Sequence, residues 1–409
     1  MKTVALVGTF DSKGTEYQYI KELLEKLDLK VFTIHTGVFE PSFVPDIDVA
    51  EIAAEADEDI ASIRKRNDRA YATAVLSSGL KSLLPKLFEK GLFDGVLSFG
   101  GTGGTSLVAP GMRQLPIGIP KLIVSTVASG DTSVYVGTSD IMMMPSIVDV
   151  SGLNKISKRI FGNAASAMAG LLNYRFETEE DEHPLVAATM FGVTTPAVNF
   201  AREYLEQNGY EVLVFHATGV GGRTMESLVS DGYFTGVLDL TTTEWADELV
   251  GGILNAGEHR LEAAALANIP QVVSLGAMDM VNFGPFDTVP DQFKNRDFYK
   301  HNPTVTLMRT TVEENKELGK IIASKLNLAK SETILVIPKG GFSAIDVQGE
   351  PFYYPEADKA LIDSIKKHLT NEKVKLIEKE QTINDKAFAE FSAQQLINLM
   401  NKKGEIDHE

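Results

Sequence analysis

The chain has 409 residues, 44% of them hydrophobic and 23% charged, so it is long enough for two to three domains and too apolar to be disordered. It has no cysteine, which excludes disulfides, a thiolate nucleophile and Cys-ligated zinc. Its net charge of −17 argues against a nucleic-acid partner, and no apolar stretch reaches the ~20 residues of a membrane helix, so we expect a soluble, cytoplasmic protein without a membrane partner.

Short apolar runs alternate with amphipathic segments along the first part of the chain. Residues 4–8 are predicted to form a buried strand, residues 16–27 a helix and residues 31–34 the next strand. Further strands are predicted at residues 96–99 and 122–124. The alternation of strand and helix favours a doubly wound, Rossmann-like α/β domain with a parallel sheet.

The second half repeats this pattern. When Phe10 is aligned with Phe191 without gaps, His35 falls on His216. Residues 93–98 resemble residues 234–239, and residues 119–124 resemble residues 269–274. We therefore predict two similar Rossmann-like domains that arose by duplication, with a cleft between them.

The domain boundary is predicted near residues 175–184. A long helix over residues 156–174 is followed by an acidic linker, residues 177–184, that ends in proline. The predicted parts are a nucleotide-binding domain (1–178), a second Rossmann-like domain (185–380) and a C-terminal helix and tail (381–409). The last part is expected to pack on either domain or on another subunit.

The strongest candidate for a ligand-binding loop follows the strand at 96–99. Its residues are Gly100, Gly101, Thr102, Gly103, Gly104 and Thr105, and a helix is expected to begin near Thr105. Glycines let a ligand approach the backbone, and a helix N-terminus offers free amides to an anion such as phosphate. The loop lacks the Lys-Ser/Thr ending of a Walker A motif.

Other candidates follow the remaining strands of the first half, because ligands bind at the carboxyl ends of parallel strands. Thr9, Asp11 and Lys13 follow the first strand, where Lys13 suits a phosphate and Asp11 suits a hydroxyl or hydrated Mg²⁺, or caps the helix. His35 follows the second strand and either packs on a base or is a core histidine. Loop residues Ser129, Gly130 and Asp131 follow the fourth predicted strand, where they close around a ligand or form an Asx turn; Asp131 is a second Mg²⁺ candidate.

In the second half, the candidates indicate a site for a second anion. Gly219, Gly221 and Gly222 precede Arg223, a residue suited to a carboxylate or phosphate. Arg309 is a further candidate for the same anion. The segment 239–244 ends another predicted strand, and its Asp239 and Glu244 are weak candidates for a general base. In the alternative interpretation of this segment, Thr241 to Thr243 cap a helix that begins at Glu244.

The segments 8–16, 100–105, 216–223 and 301–309 together resemble the family that includes the ATP-binding N-terminal domain of a plant tobamovirus-resistance protein. Its bacterial and fungal members are mostly uncharacterised. The resemblance extends to about residue 380, and it implies a two-domain α/β protein that binds ATP with Mg²⁺ and forms a homodimer.

Three functions remain open from the sequence. The leading hypothesis is an ATP-binding protein, extending to an ATP-dependent enzyme that acts on a small anionic metabolite in the interdomain cleft. The alternative is a non-catalytic module whose nucleotide gates binding to a protein partner. The third is a hydrolase or lyase of organic acids or sugar phosphates that uses no nucleotide.

Overall fold

The structure is a computed structural model that describes residues 1–174 and 183–407 of the chain. The chain divides into two compact units, Met1–Glu179 and Glu180–Glu409. The predicted linker at 177–184 lies almost wholly outside the described residues. The predicted α/β class is confirmed, because each unit is built on a parallel sheet.

The first unit carries five parallel strands in the order β2-β1-β3-β4-β5. The strands are β1 (Thr3–Gly8), β2 (Lys30–His35), β3 (Gly95–Gly100), β4 (Lys121–Ser125) and β5 (Met142–Pro145). The helices are α1 (Gly14–Lys26), α2 (Val49–Ala54), α3 (Ile60–Arg66), α4 (Arg69–Glu89), α5 (Thr102–Met112), α6 (Ser133–Val136) and α7 (Lys155–Asn173).

The predicted strands of this unit are confirmed. The apolar runs of β1, β3 and β4 are buried on both faces of the sheet, which is the pattern of a covered parallel sheet. One hydrophobic cluster includes side chains of α4 and α5 on one face, and another includes α1 and α7 on the other. The short strand β5, at the edge of the sheet, was not predicted.

The second unit carries six parallel strands in the order β14-β13-β9-β8-β6-β7. The strands of this unit, including β10, β11 and β12, which lie outside the parallel sheet, are β6 (Leu185–Met190), β7 (Glu211–His216), β8 (Gly236–Thr241), β9 (Gln271–Gly276), β10 (Met280–Phe283), β11 (Phe298–Asn302), β12 (Val305–Arg309), β13 (Thr333–Pro338) and β14 (Val374–Lys379). Its α-helices are α8 (Thr195–Gln207), α9 (Val220–Ser230), α10 (Glu244–Val250), α11 (Ala263–Leu266), α12 (Val312–Leu326), α13 (Pro355–His368) and α14 (Lys386–Asp407). Short 3-10 helices lie at Gly192–Thr194, Phe286–Thr288 and Asp291–Phe293.

The two parallel sheets share one strand order. Read from β7, the second sheet runs β7-β6-β8-β9-β13, the same succession as β2-β1-β3-β4-β5 in the first, with β14 added at the end. The predicted match of His35 with His216 also holds, because these residues end β2 and β7. The shared order supports the duplication that the sequence pattern indicated.

Two features of the second unit go beyond the predicted pattern. Strands β10, β12 and β11 form a separate antiparallel sheet. Helix α14 packs against α8 and buries Phe388, Ala393 and Leu396 in the same cluster as strands of the parallel sheet. The C-terminal helix is therefore part of the second unit's core.

Candidate functional site

The strand order of the first unit places two predicted loops at one point. The chain leaves β1 and β3 in opposite directions, and this switch point at the carboxyl edge is where doubly wound sheets bind ligands. Thr9, Asp11 and Lys13 follow β1, and the glycine-rich loop follows β3. The structure thus brings the two strongest sequence candidates to the same edge of neighbouring strands.

Helix α5 begins at Thr102, three residues before the predicted start near Thr105, so Gly100 ends β3, Gly101 is the N-cap, and Gly103 and Gly104 lie in the first turn of α5. The fold itself does not require any of these four glycines. None has a positive φ. A Cβ at Gly100 or Gly101 would make an ordinary contact, at 3.4 Å or more, and one at Gly104 would meet no atom within 4 Å. A Cβ at Gly103 would lie 3.2 Å from the guanidinium of Arg69, which is the free end of an exposed side chain.

Helix α5 begins without a side-chain cap. Its N-cap is Gly101, which has no side chain, and no side chain of the described residues accepts a hydrogen bond from the first-turn amides. The Thr105 hydroxyl instead bonds back to the Gly101 carbonyl at 2.9 Å and to the hydroxyl of Ser125 at 2.6 Å. The exposed side of this helix start therefore consists of the glycine backbone and the side chain of Thr102.

One cation borders this helix start, and a second lies at the same carboxyl edge of the sheet, after the neighbouring strand β1. Arg69 begins α4 and helps line a hollow of about 690 Å³ beside Gly103 and Ser106. Lys13 is the N-cap of α1 and is partly exposed. Within the described residues, neither side chain has an ion-pair partner. The sequence reasoning missed Arg69, because it lies about 30 residues before the loop and only the packing of α4 against α5 brings it close.

Asp11 and His35 hold the loops after β1 and β2 together. The carboxylate of Asp11 accepts hydrogen bonds from the amides of Ser12 (2.6 Å) and Phe39 (3.0 Å). His35 is fully buried; its Nδ1 accepts from the Phe10 amide at 3.1 Å, so its Nε2 donates to the Phe39 carbonyl at 3.0 Å. Of the two interpretations of His35, the geometry therefore favours the core histidine.

Ser129, Gly130 and Asp131 form an exposed turn after β4. The hydroxyl and amide of Ser133 hold the pKa of Asp131 below its usual value. A second hollow, of about 440 Å³, is lined by Ser129 and by Ile147. Ile147 is 70% exposed and has a φ of +66°, a conformation that is unfavourable for a β-branched residue.

The glycine-rich loop of the second unit is arranged differently. Gly219 has a φ of +83°, and a Cβ at Gly221 would lie 1.9 Å from the His216 carbonyl oxygen. The Glu244 carboxylate accepts from the amides of Gly219 (2.7 Å) and Gly222 (3.2 Å). The chain's own carboxylate thus occupies the anion position of this loop. Binding of an external anion there stays a prediction that this geometry does not favour.

A buried arginine explains how the carboxyl groups of Glu244 and Asp239 are accommodated inside the unit. Arg260 is 1% exposed, and its Nε donates to Glu244 at 2.7 Å. Its terminal nitrogens bind both oxygens of Asp239 and one oxygen of Glu226. Burial works to lower the pKa of Arg260, but the charges of these carboxylates raise it well above the ordinary value. Both candidate bases are therefore held in ion pairs.

The sequence reasoning missed Arg260, although one signal for it exists. Arg260 is the only Lys or Arg between Arg223 and Lys294, a stretch that contains all three of its acidic partners. Buried carboxylates need a cation or hydrogen-bond donors, and this stretch offers one cation.

The two arginines predicted to bind a second anion lie in different environments. Arg223 is exposed, and its Nη1 donates to the Asn255 carbonyl at 2.9 Å. Arg309 ends β12, is 3% exposed and forms ion pairs with Asp346 (3.2 Å) and Asp358. Because carboxylates of the chain already hold Arg309, its proposed role toward a substrate has no support in the geometry.

The surroundings of Arg309 form a buried acidic cluster. Burial, followed by the charges of Asp279 and Asp358, raises the pKa of Asp346, and the charge of Arg309 acts to lower it. Burial also raises the pKa of Asp279 to about 6. Asp279 accepts from the Ser343 hydroxyl at 2.8 Å. Its other oxygen is buried without a hydrogen-bond partner.

Within the described residues, no group of three or more His, Cys, Asp or Glu side chains is placed to hold a metal ion. Over the same residues, none of the helices combines the length and the apolar character needed to span a bilayer.

The fold and the candidate site define the class of protein: a two-domain, doubly wound α/β protein with an uncapped, glycine-rich helix start at the switch point of its first sheet. The chain belongs to the uncharacterised protein family UPF0261. It matches the N-terminal domain of that family over residues 2–177 and the C-terminal domain over residues 183–400.

Relatives match over nearly the whole chain. A UPF0261 protein of Clostridium tetani is 52% identical over 98% of this chain and 100% of its own length. The tomato (Solanum lycopersicum) ToMV resistance protein Tm-1(GCR237) and ToMV susceptible protein tm-1(GCR26) are each 41% identical over 99% of this chain. The chain spans 56% of the length of the two tomato proteins. The predicted family is thus confirmed.

Among solved structures, a putative UDP-N-acetylglucosamine 2-epimerase from Listeria monocytogenes is similar at 12% identity and a TM-score of 0.25, over 99% of this chain and 97% of that one. A likeness at this level says nothing about function.

Proposed function

We propose that the first unit binds a nucleotide, ATP with Mg²⁺, with its phosphates over the first turn of α5. The observation that carries the proposal is that Gly100, Gly101, Gly103 and Gly104 are needed neither for a positive φ nor for close packing. Something outside the fold must therefore account for the absence of side chains. Free amides at a helix start are suited to phosphate oxygens, and the resemblance of the motifs to an ATP-binding family supports the same ligand.

The surrounding charges support a phosphate ligand. Arg69 lies beside Gly103, and Lys13 follows the neighbouring strand β1. An arginine fork binds phosphate oxygens in pairs, and a lysine neutralises phosphate as a point charge. Because neither side chain is neutralised by a carboxylate among the described residues, both keep their full attraction for an anion.

The residues present also fit Mg²⁺ held together with phosphate. Mg²⁺ keeps several waters and takes one or two carboxylates plus phosphate oxygens, so it does not require a cluster of three acidic residues. Asp131 is exposed on the turn after β4, and Asp11 retains free lone pairs beside its two amide bonds. A bound Mg²⁺ would neutralise part of the phosphate charge.

One observation favours a second candidate function, a nucleotide-gated interaction module, over an ATP-dependent enzyme. The only general bases that the sequence nominated, Asp239 and Glu244, are held by Arg260. Both carboxylates are buried and already accept hydrogen bonds from the Arg260 guanidinium. This second candidate function predicts that the protein binds ATP without hydrolysing it. Phosphate-release assays measure ATP hydrolysis directly. Sustained hydrolysis would reject the interaction module but not the proposal that the protein binds ATP.

Titration calorimetry of the full chain with ATP and Mg²⁺ tests the binding site. Gly104→Val places a side chain in open space above the helix start, so it should abolish ATP binding without unfolding the protein. Lys13→Ala and Arg69→Ala should each weaken binding about tenfold, the effect of one lost charge-assisted bond. Gly162→Val is the matched control, because a Cβ at Gly162 in α7 also meets no atom within 4 Å.

Two results would reject the proposal. The first is the absence of ATP binding to the native chain. The second is unchanged affinity in Gly104→Val, which would place the nucleotide away from α5.

A further inference from the structure

The second unit contains a cavity at the edge of its parallel sheet where strands begin, opposite to the edge that carries the loops after β7 and β8. The cavity has a volume of about 650 Å³ and opens where β9, β13 and β14 begin, against the C-terminal part of α14. Pockets of this volume commonly hold small molecules. All its lining residues belong to the second unit, and none is part of the proposed nucleotide site.

The wall of this cavity is basic although the unit around it is acidic. Residues 176–409 contain 21 basic and 37 acidic residues. Five lysines line the cavity against two glutamates: Lys330, Lys373, Lys375, Lys402 and Lys403, with Glu332 and Glu372. Positive charge is therefore concentrated at this cavity, although the unit as a whole has a net negative charge.

Carbonyl oxygens hold several of these lysines without neutralising them. Lys330 Nζ donates to the Leu266 carbonyl at 3.2 Å, and Lys403 Nζ donates to the Asn268 carbonyl at 2.9 Å. Lys373 Nζ donates to the carbonyl of Lys330. A carbonyl uses one of the three donors of an ammonium group and leaves its charge in place. The lysines are thus positioned in advance and remain cationic.

Most other lysines of the second unit are neutralised by a carboxylate. The pairs include Lys316–Glu313, Lys320–Glu317, Lys325–Glu262, Lys339–Glu380, Lys359–Asp363 and Lys366–Glu378. At the cavity only Lys402 is paired, with Glu332. Within the described residues, the other four cavity lysines have no carboxylate partner.

We propose that this cavity binds a phosphorylated small molecule that carries at least two negative charges. Several ammonium groups with free donors suit an anion of high charge density, and phosphate is bound by lysine as a point charge. Pro270, Ile334 and Leu399 add an apolar surface that packs against the rest of the ligand. This site is independent of the nucleotide site on the first unit.

Titration calorimetry of the full chain with inorganic tripolyphosphate tests the proposal. Lys373→Gln/Lys375→Gln should weaken binding at least about tenfold, because two charge-assisted contacts are lost. Lys359→Gln/Lys367→Gln is the matched control, because it removes the same charge from exposed positions on α13, outside the cavity. The control should change affinity by less than about twofold.

The same titration in the Gly104→Val background separates the two sites, since tripolyphosphate is also a ligand for the α5 helix start. Binding that survives Gly104→Val and is lost with the cavity lysines supports the proposal. No binding, equal losses in the two double variants, or complete loss in Gly104→Val alone would overturn it.

Discussion

Arg260 shows how one residue decides the role of its neighbours. Asp239 and Glu244 come at the carboxyl end of a buried strand, which is where catalytic carboxylates are expected. In the structure, both form ion pairs with Arg260 inside the unit. The position of these two carboxylates is the one expected of catalytic residues, but their ion pairs with Arg260 give them a structural role.

Replacement of Arg260 should lower the stability of the folded protein. Arg260→Met would leave Asp239, Glu244 and Glu226 buried without their cation, so we expect the free energy of unfolding to fall by about 3–5 kcal/mol. Urea unfolding followed by circular dichroism measures the loss. Arg223→Met is the matched control and should cost less than about 1 kcal/mol, because Arg223 is exposed and has no carboxylate partner among the described residues. Similar losses in the two variants would contradict the buried network.

Asp247 makes the stability of the second unit depend on pH. Its carboxylate accepts from the backbone amide (2.9 Å) and the side-chain amide (2.6 Å) of Asn282. Burial raises the pKa of Asp247 to about 7, although the hydrogen bonds from Asn282 act to lower it. Between pH ~4 and 7 the folded chain holds this proton and the unfolded chain does not. The contribution of Asp247 to stability is therefore greatest below pH ~4 and falls as the pH rises to about 7.

Asp247→Asn should remove this dependence. The new amide is neutral at every pH, and after a rotation of Asn282 it can donate to Asn282 Oδ1, which is buried without a partner. Relative to the native chain, the variant should gain about 1–3 kcal/mol between pH 5 and pH 8. Urea unfolding at a series of pH values gives the difference directly. A difference that stays constant over this range would show that Asp247 is ionised throughout.

At the scale of elements, the starts of α5 and α9 look alike in sequence and differ in the fold. Each helix begins with a glycine N-cap and no side-chain cap. At α9, the carboxylate of Glu244 from α10 takes the amides of Gly219 and Gly222. At α5 no carboxylate of the described residues does so. One helix start is thus capped by a carboxylate of the chain, and the other is the one at which we propose that phosphate binds.

Alanine substitutions distinguish the two helix starts. A Cβ at Gly222 would lie 2.2 Å from Glu244 Oε2, which Arg260 holds in place, so Gly222→Ala should cost about 1–3 kcal/mol. Gly104→Ala should change stability by less than about 1 kcal/mol, and in the stabilising direction, because alanine favours a helix over glycine. Thermal and urea unfolding of the two variants measure both effects. A large loss in Gly104→Ala would mean that the fold itself requires that glycine.

The elements that the sequence predicted correctly are those whose pattern follows from burial on both faces. The predicted strands at 4–8, 31–34, 96–99 and 122–124 agree with β1–β4 to within one residue at either end. The antiparallel sheet at 280–309 was missed because polar, exposed residues interrupt the apolar run of β11. The edge strand β5 was missed because it is only four residues long and ends in proline.

At the scale of the whole molecule, the chain consists of two units with the same strand order. The hydrophobic clusters of the first unit draw only on residues between 4 and 172, and they cover both faces of its sheet. A unit that closes its own core has what it needs to fold alone.

Residues 1–178 should therefore fold when expressed by themselves. We expect a single cooperative thermal transition, native-like circular dichroism and, if the proposed function holds, ATP affinity within about threefold of the full chain, because the proposed contacts all lie in this unit. Scanning calorimetry, circular dichroism and titration calorimetry of the isolated unit check these three expectations in turn. A non-cooperative transition with exposed apolar surface would contradict an independent first unit.

The sequence by itself determined the α/β class, the repeat, the family resemblance and the loops at the strand ends, because these follow from local hydrophobic periodicity and from glycine content along the chain. Only the tertiary structure decided at which of these loops a side chain of the chain itself already occupies the position expected for a ligand. Glu244 reaches the α9 amides across 22 residues of sequence from Gly222, Arg260 gathers three carboxylates, and Arg69 comes beside Gly103 through helix packing. Such contacts depend on how distant segments pack, and spacing along one chain does not encode them.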